Sequence, residues 1–208
     1  MKAMDKLQLK IKVDKNLAVF LVVLLLIGIS VGALFVSILN SSDKELVTNH
    51  LLNFFQNIEN NKLDYYSALK NNLIANVLMV LIIWLLGISV IGLPVIVIIF
   101  FSKSFILGFS IGSILSTFKI KGIIYGLIYV FPGQILTLLG LLLLMMYSMS
   151  FSFKIIYTIL KKQVLDFKFI MNKYFKILIL VMIIVVVMGI YDTYLMPKLL
   201  KMILSFVK

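Results

Sequence analysis

The chain has 208 residues, 62% of them hydrophobic and only 13% charged, and carries a net charge of +12. A soluble domain is about half apolar and a quarter charged, so a water-solvated fold is excluded and the sequence must be read against lipid. All 20 basic residues are Lys, which removes the bidentate guanidinium fork and argues against nucleic acid as a partner; with no Cys there is neither a disulfide nor a thiolate metal site.

The pattern predicts an all-α, polytopic membrane helical bundle in one domain. A crossing needs about 20 apolar residues, and the first runs over 17–39, after five Lys in the first sixteen positions. It is too long for a secretory signal core and is followed by no small-residue cleavage site, so it reads as a retained span. Residues 40–72 form the one extended polar stretch. Three crossings follow at 73–92, 95–118 and 122–147. Gly92 and Pro94 punctuate the first turn between them, and Lys119, Lys121 and Gly122 the second. A different division, with Lys103 in the turn, gives the same total. A basic segment, 148–176, precedes a last crossing at 177–196, making about five. With the N-terminus inside, twelve Lys fall on that side and eight on the other; the positive-inside rule therefore predicts an N-in, C-out orientation.

Within the crossings, Gly28 and Gly32, then Ser104, Gly108, Gly112 and Ser116, then Gly122 and Gly126 recur every four positions. Such stripes let helix backbones approach closely. They serve packing within the chain, or, on a sharper reading, contact with a second copy in a homo-oligomer. Asn76, Lys103 and Gln134 are polar groups inside predicted spans, where they are costly. Gln134 follows Pro132, whose ring frees a backbone carbonyl. These groups read as structural, with a functional pathway as the alternative. Asp192, between Tyr191 and Tyr194, reads as an interfacial anchor.

Outside the membrane, Ser42-Asp43-Lys44-Glu45 looks like a capping box opening an amphipathic extracytoplasmic helix. Leu46, His50, Leu51, Phe54, Phe55 and Ile58 share one face of it. A second short helix over 63–72 presents Tyr66. Such a segment docks on the top of its own bundle, on a partner protein or on lipid. Leu51, Phe54, Phe55 and Tyr66 are the candidate partner surface. On the inner side, Lys154, Lys161, Lys162, Lys168 and Lys173 alternate with Phe153, Ile156, Tyr157, Leu160 and Val164, which predicts an interfacial helix on anionic lipid or a docking site for an ATPase. Catalysis fits poorly. His50 is the lone histidine, and the spans hold no acid pair and no nucleophile elbow. No catalytic residue, metal site or cofactor is predicted.

The central block runs from Leu86 through Gly-Leu-Pro94. It continues with Phe101-Ser-Lys103, Gly108 to Gly112, Lys121-Gly122 and Phe131-Pro132-Gly-Gln134, and closes on Ser148-Met-Ser-Phe-Ser152. This block resembles the stage II sporulation protein M family of endospore-forming Firmicutes, and the resemblance covers about 17–196. It implies a multi-pass cell-membrane protein of the sporulation septum and the engulfing mother-cell membrane. Such a protein is a non-enzymatic scaffold in engulfment and peptidoglycan remodelling, anchoring the peptidoglycan-degrading sporulation proteins D and P. On that implication residues 42–70 and the outer loop at Lys119–Gly122 hold the partner surface. The competing reading is a small permease or transporter subunit with a cytoplasmic ATPase partner, built around Asn76, Lys103 and Gln134.

Overall fold

The computed structural model describes residues 15–161 and 167–206, and these form helices joined by short turns, with no strand among the described residues. The helices are α1 (Lys15–Ile38), α2 (Ser41–Glu59), α3 (Tyr65–Ile88), α4 (Gly92–Tyr129), α5 (Ile135–Lys161), α6 (Phe167–Ile190) and α7 (Met196–Phe206). Wide π-type turns at Val130–Gln134 and Tyr191–Leu195 join α4 to α5 and α6 to α7. The basic stretch before Lys15, together with Lys162 and Val164, lies outside the described residues. Among the described residues, four stretches are long and apolar enough to cross a membrane: Lys15–Ile38, Tyr65–Ile88, Gly92–Lys161 and Phe167–Ser205.

The third stretch has 70 residues. Straight, it would measure about 105 Å at 1.5 Å per residue, over three times a hydrocarbon core of about 30 Å. It is folded instead. Lys119 leaves the helical region with φ 52° and ψ −125°, and the chain doubles back so that Gly122 lies against Ile114 and Leu115 of its own helix. The rings of Phe118 and Tyr125 meet edge-to-face across this bend at 5.2 Å. The return limb then reaches back to the end of α3, just before α4 begins: Ser152 Oγ on α5 donates to the Gly87 carbonyl at 2.6 Å. Lys103 sits in the middle of α4, not in a turn, so the alternative division of this region is incorrect.

Local chemistry sets several boundaries differently from the sequence reading. α2 is capped by Asn40, whose side-chain oxygen accepts the Asp43 amide at 2.7 Å. The predicted Ser42 cap is the second residue of the helix, two positions past the true cap, because the Asn40 side-chain carbonyl already satisfies the orphan amide. α2 ends where Asn61 adopts a left-handed φ of 55°, which a short polar side chain tolerates. Asp64 then caps α3, accepting the Ser67 amide at 3.1 Å and the Ser67 hydroxyl at 2.6 Å. This cap starts a single helix at Tyr65, so the predicted short outer helix and second crossing are one element. The turn before α4 is Ser89–Ile91, and Gly92 and Pro94 belong to the first turn of α4. A Cβ at Gly92 would collide with the Leu86 carbonyl, and the missing Pro94 amide is among those with no intrahelical partner anyway.

α1 and α4 run parallel in close contact. Gly28 faces Ser104, Gly32 faces Phe105 and Phe109, Gly108 faces Ile29, and Gly112 faces Ala33 and Val36. Helices in lipid gain no hydrophobic driving force from one another, so such backbone approach supplies dispersion contacts that lipid does not match. The main core gathers Leu21, Ile96, Phe100, Leu141, Leu144 and Tyr174 between α1, α3, α4, α5 and α6. A second core joins Phe55 and Ile58 of α2 to Ile114, Tyr125, Met196 and Leu200. α2 and α7 therefore form a cap over the end of the bundle at which α4 reverses, tied further by Lys201 Nζ donating to Asn61 at 2.6 Å.

The predicted inner interfacial helix is also different. Its residues are the ends of α5 and α6, which extend as two long helices to Lys161 and from Phe167. Phe153, Tyr157, Ile159 and Leu160 are exposed on the α5 end, and the Lys161 ammonium lies 4.4 Å from the centre of the Tyr157 ring.

Candidate functional site

The fold brings the intramembrane polar residues together. Asn76 on α3, Lys103 on α4 and Gln134 in the first π-turn line one cavity of about 310 Å³ with Asn72 and Tyr129. Lys103 Nζ donates to Asn76 Oδ1 at 3.0 Å, and Asn76 Nδ2 donates in turn to Asn72 Oδ1. Gln134 Nε2 donates to Asp192 Oδ2 at 2.8 Å. The Asp192 carboxylate also feels the Lys103 charge, so the cluster spans α3, α4 and both π-turns. Gly133 makes this meeting possible, since a Cβ there would strike the Asp192 carboxylate. The Phe131–Pro132 peptide in the same turn is cis.

Asp192 is the residue that sequence reasoning misplaced. It is not an interfacial anchor: it is only 8% exposed, and its Oδ1 is buried without a hydrogen-bond partner. The Tyr191/Tyr194 flank suggested a membrane boundary, but the π-turn carries the chain on into α7 and directs Asp192 inward. Thr193 Oγ1 donates to the Gly189 carbonyl at 2.8 Å, and the rings of Tyr65 and Tyr194 stack at 5.6 Å, which together pin this turn to α6 and α3. The available signal was the acid itself, a group rarely left inside a span without a partner.

At the opposite end of the bundle the serines of the Ser148–Ser152 block act as ties. Tyr174 OH donates to the Trp84 carbonyl at 2.8 Å. Its one proton is thereby used, so the 2.6 Å contact with Ser148 has the Ser148 hydroxyl as donor. With Ser152 bonded to Gly87, α5 is fastened to α3 and α6 where Gly87 leaves no room for a Cβ beside Ser148.

The predicted surfaces divide. Phe55 is 6% exposed, with its ring centred 4.5 Å from Phe118 and 5.2 Å from Tyr125; a partner cannot reach it, and its place in the candidate surface is corrected. Leu51 and Phe54 are half-buried beside it. Tyr66 is 75% exposed. In the small-residue set, Gly28, Gly32, Ser104, Gly108 and Gly112 are covered by this chain's own helices. Ser116 is exposed and outside that contact, Gly122 packs within its own bend, and a Cβ at Gly126 would meet nothing within 4 Å.

Long apolar helices, glycine-mediated packing and a buried polar cluster define an all-α polytopic membrane protein. A family model described as stage II sporulation protein M matches residues 21–197. The chain belongs to that family and is a membrane protein of sporulation. No curated protein and no solved structure matches it.

Proposed function

We propose that the chain is a non-enzymatic membrane scaffold that anchors peptidoglycan-degrading proteins, sporulation proteins D and P, while the mother-cell membrane engulfs the forespore. In this reading the chain crosses the membrane five times, counting the doubled third stretch twice, with the N-terminus inside and the α2–α7 cap outside. The observation that carries it is that cap. The cap packs on a core that it shares with the bend of α4, and this end of the bundle presents Leu52 of α2, Tyr66 at the start of α3 and Ile120 at the α4 bend, the last two 75% and 83% exposed. A docking platform needs such a rigid, extramembrane apolar surface rather than a catalytic group.

Affinity purification of the tagged protein from sporulating cells tests the proposal. Tyr66→Asp and Ile120→Asp should abolish recruitment of the two peptidoglycan-cleaving proteins while membrane insertion stays normal. Normal recruitment in both variants would discard the assignment. A second reading, a permease subunit, draws on the polar cavity where two interrupted helices meet. It predicts that Cys introduced at Asn76 and Gln134 reacts with water-borne thiol reagents, a clean assay in a chain without Cys.

A further inference from the structure

Between α2 and α4 lies a second, larger cavity of about 800 Å³, a volume in the range of small-molecule sites. Its floor is the outer part of α4 from Phe109 to Ile114, and its roof is α2, with Leu46, His50 and Phe54 along the edge. The floor belongs to a membrane-crossing helix and the roof does not, so the cavity straddles the boundary between hydrocarbon and headgroups.

Its polar groups are stratified. His50, Asn53 and Asn57 lie on the roof, and Ser110, Ser113 and Tyr129 lie below. Serines inside helices can satisfy their hydroxyl on the carbonyl four residues back. Ser104 does so to Phe100 and Ser110 to Ile106, each at 2.9 Å. Ser113 does not: it is 2% exposed and its hydroxyl has no partner. An unpaired buried hydroxyl in a cavity wall is costly and calls for a ligand atom. Ser113 precedes the reversal at Lys119 by six residues, which is about 9 Å along the helix. The headgroup zone is roughly 5–7 Å deep on each side of the hydrocarbon. With the bend at the water-facing edge of that zone, Ser113 would lie about 2–4 Å inside the hydrocarbon boundary, within reach of the ester carbonyls of a glycerolipid.

We propose that this cavity binds a membrane glycerolipid. One acyl chain lies along Phe109, an ester carbonyl accepts the Ser113 hydroxyl proton, and the headgroup rises among His50, Asn53 and Asn57. The lipid would then be a structural part of the joint between α4 and its cap.

The test uses the full chain in nanodiscs containing a diester phosphatidylglycerol with a photoreactive group in one acyl chain, adducts being mapped by mass spectrometry. Adducts should concentrate on peptides covering 46–57 and 109–114. Ser113→Val should reduce them about five-fold, the weight of one net hydrogen bond, and a diether analogue should label the wild type correspondingly less while making no difference in the Ser113→Val variant. Leu46→Trp, placed at the exposed mouth, should block the site without touching the core. Adducts on the exposed Leu85 and Ile183 should be unchanged in every variant, which establishes that each has folded. Labelling of the cavity no denser than on Leu85 and Ile183 would overturn the proposal. So would equal labelling by the two lipids, or chain-to-chain crosslinks from 46–57 in place of lipid adducts.

Discussion

Asp192→Asn isolates the electrostatics of the polar cluster. Asn keeps an acceptor for Gln134 and nearly the same shape but removes the charge that acts on Lys103. Exchanging a charged hydrogen bond for a neutral one costs about 1 kcal/mol. The larger effect falls on Lys103, whose ammonium is left with Asn76 as its hydrogen-bond acceptor. Removing one member of a buried pair in direct contact costs about 3–5 kcal/mol; Lys103 and Asp192 act on each other through space, and Lys103 is partly exposed, so a destabilisation of about 1–2 kcal/mol is expected. Lys103→Met should cost a similar amount by stranding Asp192. The double variant leaves no uncompensated charge and should recover most of the loss, giving a coupling of about 1 kcal/mol. The assay is reversible unfolding in mixed detergent micelles, followed by fluorescence. Trp84 is the sole tryptophan and stacks on Tyr174 at 5.6 Å, so its emission reports directly on the core. Strictly additive single effects would refute the argument that the two charges share one environment.

Gly108→Leu should destabilise the bundle by about 1–3 kcal/mol or more in the same assay, because its Cβ meets the Ile29 backbone, which cannot move aside as a side chain can; Gly126→Ala, with open space around its Cβ, should be neutral or gain up to about 1 kcal/mol from helix propensity. At the start of α3, the Ser67 hydroxyl and amide hold the Asp64 carboxyl below its usual range. A depressed folded-state pKa contributes stability that is present above the unfolded value and lost as pH falls through the folded one. The protection factors of the Ser67 and Ala68 amides, relative to their intrinsic exchange rates at each pH, should therefore fall on acidification below about pH 4, and Asp64→Asn, which keeps an acceptor but not the titration, should flatten that dependence.

Length and periodicity made the helical architecture legible, because an apolar run of crossing length has few other solutions in lipid. The Gly28/Gly32 and Ser104/Gly108/Gly112 stripes were legible for the same reason: a flat helix face in lipid has to meet another backbone. Ser116 continues the four-residue spacing but not the contact, because α1 ends at Ile38 as it passes Gly112. The polar cluster was visible only in part. Asn76, Lys103 and Gln134 stood out as misfits in apolar runs, yet their association depends on helices distant in sequence, and Asp192 was hidden by aromatic neighbours that mimic an interfacial belt. Phe55 and Tyr66 show the limit of helical-face reasoning. Both looked like surface candidates, but which one is covered depends on the fold-back at Lys119, which brings Phe118 and Tyr125 against Phe55.

The parallel pairing of α1 with α4 has a consequence for biosynthesis. About 80 residues separate the end of α1 from the bend at Lys119, and ribosomes extend a chain at roughly 5–20 residues per second. The first helix thus waits on the order of 4–16 s in the bilayer before its partner is complete. During that interval its glycine face is open to lipid or to any other nascent helix, and the small hairpin partners made first, α2 and α3, do not cover it. The packing of α1, rather than its insertion, therefore depends on the arrival of α4, and a ribosomal pause or truncation between Asn40 and Phe118 would leave a helix whose binding face is intact and unoccupied.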